Sequence, residues 1–222
     1  MVDCVARVAA RRIRDQKKRP RPAEQDRPDV QRARRAFQRW VRTIDPDRLV
    51  CVDEAGAQLT MSRSHVWVPK GAEYIEPRAV NWGKNLTMLG AIRRRRWVTL
   101  GTHWQGTTHA RFQRWVRRCL VPRLRAGDVV LMDRLPVHRT PAVRDLIAAR
   151  GATLRLLPPY SPDFNPIEPA WGLVKKRLRT IGARTPPRLR RAAHRACRIV
   201  TATHCQRWFA HAGYVKSTAN RD

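Results

Sequence analysis

Two apolar runs that each end in an aspartate constrain this chain more than any other feature. Val50-Cys51-Val52-Asp53 and Val129-Val130-Leu131-Met132-Asp133 read as hydrophobic strands. Each run places a carboxylate at the carboxyl edge of a sheet, where the sites of α/β proteins form. One aspartate after a strand often does no more than cap a turn. Two of them, in a chain of 222 residues with only 17 Asp and Glu, mark a candidate site.

The segments around these runs alternate in type. Val30, Ala33, Phe37, Trp40 and Val41 recur at helical spacing after Asp26-Arg27-Pro28, until Asp45-Pro46 ends the pattern. Leu49 to Asp53, Gln58 to Met61, Leu86 to Ile92 and Trp97 to Thr102 are β-rich, the last two joined by a basic turn from Arg93 to Arg96. Thr107 opens a helical stretch through Phe112, Trp115, Val116 and Leu120. The strand 129–133, a helix from Pro141 to Arg150 stopped by Gly151, and a strand from Thr153 to Leu157 follow. Helical patterns near 166–180, 186–200 and 202–211 close the chain. Strands mixed with helices around one sheet predict an α/β class with a basic helical tail.

Glu168 is the third acid of interest. Asn165-Pro166-Ile167-Glu168 has the pattern of a capping box, so capping alone would explain it. A glutamate in a first turn also projects at the helix mouth, and the preceding Pro158-Pro159-Tyr160-Ser161-Pro162-Asp163-Phe164 is stiffened by three prolines. Three oxygen ligands from separate elements are what Mg²⁺ or Mn²⁺ at a phosphate requires. Two such ions activate an attacking oxygen and stabilise the leaving one.

The charge balance supplies the partner. Lys and Arg number 47, giving a formal net charge of +30. The excess of Arg over Lys has a compositional explanation in a GC-rich genome, but that would spread the charge evenly. From Pro169 to Asp222 there are 13 Lys and Arg against one acid. Such a field attracts phosphate backbone by releasing condensed counterions, without reading sequence. Lys175, Lys176, Arg177 and Arg179 are the DNA-binding candidates beside Glu168. Five cysteines without paired short spacing, no apolar run of membrane-spanning length and no signal-like N-terminus predict a reduced, cytoplasmic, nucleoid-associated protein with no membrane partner. His194, Cys197, His204, Cys205 and His211 fit no zinc template and read as core and surface residues.

Val52-Asp53-Glu54-Ala55-Gly56, Asn81-Trp82-Gly83-Lys84-Asn85, Val129 to Asp133, and above all Leu157-Pro158-Pro159-Tyr160-Ser161-Pro162-Asp163-Phe164-Asn165-Pro166-Ile167-Glu168 resemble the catalytic domain of bacterial mariner-like insertion-sequence transposases. The resemblance runs from about Glu24 to Tyr214. It implies a ribonuclease-H-like mixed sheet flanked by helices, with the family's Asp-Asp-Glu triad on Asp53, Asp133 and Glu168 as catalytic and metal-binding residues. Thirty-four residues separate Asp133 from Glu168, as is typical of that superfamily. The implied chemistry is hydrolysis at a transposon end, then attack of a DNA 3′-hydroxyl on target DNA, with Mg²⁺ or Mn²⁺, as two ions. His138 matches a histidine common in the family and is either a positioning neighbour of the ligands or a structural histidine.

Two departures from the family stand out. Arg134 occupies the place after the second aspartate where the family usually has Asn. It either weakens the metal site or points to the opposite face. The helix-turn-helix region that reads element ends would lie before this sequence, so an upstream reading-frame product is an expected partner, and transposition by mechanism expects a homodimer. The resulting division is a basic leader of low order at 1–28, a lead-in helix at 29–46, a catalytic domain at 47–182 and a basic helical extension at 183–222. Two other functions use the same residues: a ribonuclease-H-like nuclease, or an inactive transposase relic that only binds nucleic acid.

Overall fold

The structure, a computed structural model, describes residues 21–76, 83 and 85–214. Five strands form one mixed sheet in the order β3-β2-β1-β4-β5. They are β1 (Leu49–Ala57), β2 (Leu86–Arg93), β3 (Arg96–Trp104), β4 (Val129–Met132) and β5 (Thr153–Leu156). The first three pair antiparallel, whereas β1, β4 and β5 run parallel. Helices are α1 (Pro28–Val41), α2 (His109–Trp115), α3 (Pro141–Ala148), α4 (Ile167–Ile181), α5 (Pro186–Cys197) and α6 (Ala202–His211).

Alternation along the central strands divides the core into two layers. Cys51 and Leu131 pack on one face with Phe37, Ile167, Trp171, Val174 and Phe209, under α1 and the three last helices. Val50, Val52, Val130 and Met132 pack on the other with Phe112, Val116, Val143 and Ile147. The sheet is therefore covered on both sides, and all eight residues of β2 are buried. Gly90 of β2 permits the close approach of α4, since a Cβ there would lie 2.7 Å from the Trp171 ring.

The structure departs from the sequence expectations in specific places. β1 does not stop at Asp53 but continues to Ala57, because β2 supplies ladder partners up to Ala57↔Leu86. Gln58 to Met61 is a turn rather than a strand: Met61 N–H donates to the Gln58 carbonyl at 3.2 Å, and Arg184 takes the Leu59 and Met61 carbonyls. The helix opened at Thr107 is capped by Thr108 and passes at Val116–Leu120 into a π-helical turn. Ala23–Asp26 already forms a 3₁₀ turn, so regular structure is present before residue 28. Residues 1–20, and most of the Asn81–Asn85 motif, lie outside the described residues.

The His and Cys residues of the tail are placed as core and cap. Among the described residues no His, Cys, Asp or Glu group forms a metal cage. Cys197 and Cys205 are buried, and His204 closes a capping box on Thr201 while stacking on Trp208. No described helix is long and apolar enough to cross a membrane.

Candidate active site

The parallel register decides where the two aspartates stand. Cys51 pairs with Leu131, and two residues further along each segment come Asp53 and Asp133. Because β4 ends at Met132 while β1 runs on, the ladder between them opens there into a cleft. Two residues along a strand return a side chain to the same face. Asp53 thus shares the face of Cys51, on which α4 packs. Glu168, in the first turn of α4, completes the set: Asp53, Asp133 and Glu168 line one cavity of about 300 Å³ with the proline-rich segment 157–162.

The expected capping box at Glu168 forms in part: Asn165 Oδ1 accepts from Ile167 N–H at 3.5 Å, while no return bond from the Glu168 side chain is present among the described residues. Asn165 also serves the sheet. It is buried, donates through Nδ2 to the Val52 carbonyl at 3.4 Å, and ties the helix start to the strand carrying Asp53. Glu168 is left to the cleft.

The three carboxyls are electrostatically distinct. Burial pushes Asp53 well above the usual carboxylate range, and the nearby Glu168 and Asp133 charges push the same way. Glu168 is also raised, by burial and by Asp133, against the pull of Lys175. Burial would raise Asp133 too, but the His138 ring and the Leu135 N–H prevail and hold it below its ordinary value. Asp133 Oδ1 lies 2.5 Å from His138 Nδ1 and accepts from Leu135 N–H at 3.0 Å. An ionised carboxylate only accepts, so Nδ1 carries the proton. His138 is fully buried against Phe112, and its Nε2 has no partner among the described residues.

Arg134 is exposed and lines this same cavity. Glu54 points away, accepting from Thr107 Oγ1 at 2.5 Å on the other face. Lys176, Arg177 and Arg179 are exposed on α4, and Lys175 is half-buried.

Residues that the sequence reading missed hold the loop over the cleft. Tyr160 adopts φ +52°, a left-handed conformation that costs a non-glycine residue of order 1–3 kcal/mol and persists only when surroundings enforce it. Gln25 Nε2 donates to the Tyr160 carbonyl at 2.7 Å. Arg34 donates to Ser161 Oγ at 2.7 Å and to both Asp163 oxygens at 2.9 and 2.6 Å, with its guanidinium over the Phe164 ring. More than a hundred residues separate these partners in sequence, and no local signal announces them.

A family profile described as DDE superfamily endonuclease matches residues 48–190, which is more than half of the chain and includes all three carboxylates. The chain belongs to the DDE superfamily of endonucleases. No curated protein sequence matches it. Among solved structures, the Mos1 transposase paired-end complex with left transposon end is similar at 18% identity and TM-score 0.71, over 96% of this chain and 67% of that one. The Mos1 mariner paired end complex with Mn is similar at 16% identity and TM-score 0.69, over 96% and 67%. The Mos1 transposase catalytic domain with Raltegravir and Mg gives 16% identity and TM-score 0.60, over 88% and 92%. These likenesses establish the ribonuclease-H-like fold of a transposase catalytic domain for this DDE endonuclease, whose chain spans about two thirds of the intact Mos1 chains.

Proposed function

We propose that this chain is a transposase catalytic domain that cuts DNA at insertion-sequence ends and joins the freed 3′-hydroxyl to target DNA. The observation that supports this reading is the lining of one cavity by Asp53, Asp133 and Glu168, from two neighbouring strand segments and a helix. The donor chemistry suits a divalent cation: these are three hard oxygen donors, burial and neighbouring acid charge raise the proton affinity of Asp53 and Glu168, and a cation that drew the three together from positions that form no closed cage in this structure would replace the missing counter-charge. Mg²⁺ or Mn²⁺, as a pair of ions, would polarise the scissile phosphate and lower the pKa of the attacking water or hydroxyl.

Each residue has a part that its position supports. Asp53 and Asp133 hold the ions from the sheet, and Glu168 holds them from the mouth of α4. His138 fixes the Asp133 carboxylate by donating from Nδ1, leaving the second oxygen towards the cavity. Lys175, Lys176, Arg177 and Arg179 present cations along α4 for the backbone of the bound strand. Two copies working on two ends, with end recognition supplied by a helix-turn-helix part, complete the reaction scheme.

The test supplies pre-nicked transposon-end duplex, target DNA and Mg²⁺ or Mn²⁺ to the chain fused to a helix-turn-helix part. Joined products support the proposal. Cutting without joining would assign a plain nuclease instead, and binding without cutting a relic.

A further inference from the structure

A second cavity, of about 510 Å³, lies along the free edge of the sheet and shares no residue with the carboxylate cleft. Among the described residues β3 has β2 as its only ladder neighbour, and α2 with its π-turn approaches its outer side from one face and α5 from the other. The walls carry Arg111, Arg114 and Arg118 from the first and Arg190 from the second, with His103 and His194 between them, and no acid. Arg111 donates to the Gly106 carbonyl at 2.9 Å; Arg114, Arg118 and Arg190 have no ion-pair partner among the described residues. Burial holds both imidazoles below their ordinary range, and the adjacent Arg111 and Arg190 add to the effect, so the cation density there is that of guanidinium groups.

Two buried donors in this cavity also lack partners. Trp115 is 5% exposed and its Nε1 bonds to nothing among the described residues; Thr102 Oγ1 is likewise buried and unbonded. Trp115 reaches this place only because residue 101 is glycine: a Cβ on Gly101 would stand 2.6 Å from Nε1. An indole N–H left unpaired in a buried site costs about 1–3 kcal/mol. Both atoms are covered by protein, Nε1 against Gly101, so they belong to the wall rather than to the open space; the crowded, unpaired arginines are what call for an anion.

We propose that this edge cavity is a second nucleic-acid site, which holds consecutive phosphates of a phosphodiester backbone away from the carboxylate cleft. Arg111, Arg114 and Arg118 are spaced by three and four residues, so they form a stripe on one helical face. At 1.5 Å per residue the stripe is about 10 Å long, too extended for one phosphate and matched to several along a strand. Guanidinium forks suit phosphate oxygens. The choice of DNA as the polymer rests on the function proposed above; the site itself does not involve the carboxylates.

Cys119 lines this cavity and is half-buried, whereas Cys51, Cys197 and Cys205 are buried, and burial raises their thiol pKa values. Its alkylation rate therefore reports occupancy in the full chain carrying Cys4→Ser and, to prevent turnover, Asp133→Asn. Random-sequence duplex should slow Cys119 alkylation several-fold, whether or not strand joining is ever observed with the parent chain. Inorganic phosphate at equal phosphate concentration, and polyglutamate at equal charge, should protect much less. Replacing Arg111, Arg114 and Arg190 by Gln should flatten the plot of log affinity against log salt by about 2.7, at roughly 0.9 per phosphate contact. DNA that binds without slowing alkylation overturns the proposal. Equal protection by phosphate would assign a small-anion site, and equal or better protection by polyglutamate a surface for acidic protein; either result overturns it too.

Discussion

Arg34 of α1 holds Asp163 of the proline-rich loop through a two-pronged ion pair, at 2.9 and 2.6 Å. The lead-in helix is thereby a clamp on the loop that walls the carboxylate cleft. The guanidinium is mostly buried while Asp163 is half exposed, so solvent screens the pair and its contribution to stability is about 1 kcal/mol. Arg34→Ala should consequently lower the melting temperature only slightly while reducing single-turnover cleavage substantially, because Tyr160 and Ser161 lose their support. Rates equal to the parent would show that the loop holds its shape unaided.

A second expectation concerns pH. Asp53 and Glu168 are raised in the folded chain, so the stability they contribute is fully present below their ordinary values near 4 and is lost as pH rises through the higher folded values. Metal-free protein should lose stability from this source as pH rises from the ordinary carboxylate range through the raised folded values, and Mg²⁺ should restore more at the upper end. Asp53→Asn should raise the metal-free melting temperature at neutral pH and abolish the Mg²⁺ increment. Melting curves with chelator and with Mg²⁺ at several pH values check both.

Binding and chemistry should separate at Asp133. Asp133→Asn removes a charged ligand while keeping its shape, so metal-dependent cleavage should fall by orders of magnitude with DNA affinity nearly intact, since affinity resides in the basic surface. Arg134→Asn, on the same cavity wall, should raise cleavage at limiting Mg²⁺, because it removes a cation that opposes the metal ion. Cleavage that survives Asp133→Asn would overturn the catalytic assignment.

Stability away from the cleft should depend on Asp128. It is 1% exposed and accepts from Arg93 at 2.9 and 2.6 Å and from Arg125 N–H at 2.6 Å. Burial alone would raise its pKa, yet these donors hold it below the ordinary value, so its contribution is present above pH 4 and lost below. Asp128→Ala leaves Arg93 buried and unpaired, and should cost about 3–5 kcal/mol in denaturant unfolding.

Much of this arrangement was legible in the sequence because local signals carried it. The apolar runs at 50–53 and 129–133, the basic turn at 93–96 and the helical periods after 166 all reported burial, and burial determined the elements. The extent of β1 was not legible, since residues 54 to 57 owe their extended form to a ladder with β2 some thirty residues away. Nor was the double use of Asn165, whose Oδ1 takes the Ile167 N–H as its pattern suggested but whose Nδ2 also serves the Val52 carbonyl. That the three carboxylates line one cavity followed from strand ends and a helix start. The loop's supports did not, as they join residues far apart in the chain.

One of those supports comes from the other end of the fold. Tyr214, buried behind α6, donates its hydroxyl to the Phe164 carbonyl at 2.5 Å, fifty residues away, while Gln25 reaches Tyr160 across 135. The loop is thus pinned by the first and the last described segments together, and both pins close long stretches of chain. Closing such loops is the slow, entropically costly part of folding. Release of either end should therefore reopen the wall while the strands stay paired. Hydrogen exchange should find the amides of residues 160–165 opening together with those of α1 and the 212–214 turn, well before β1 and β2.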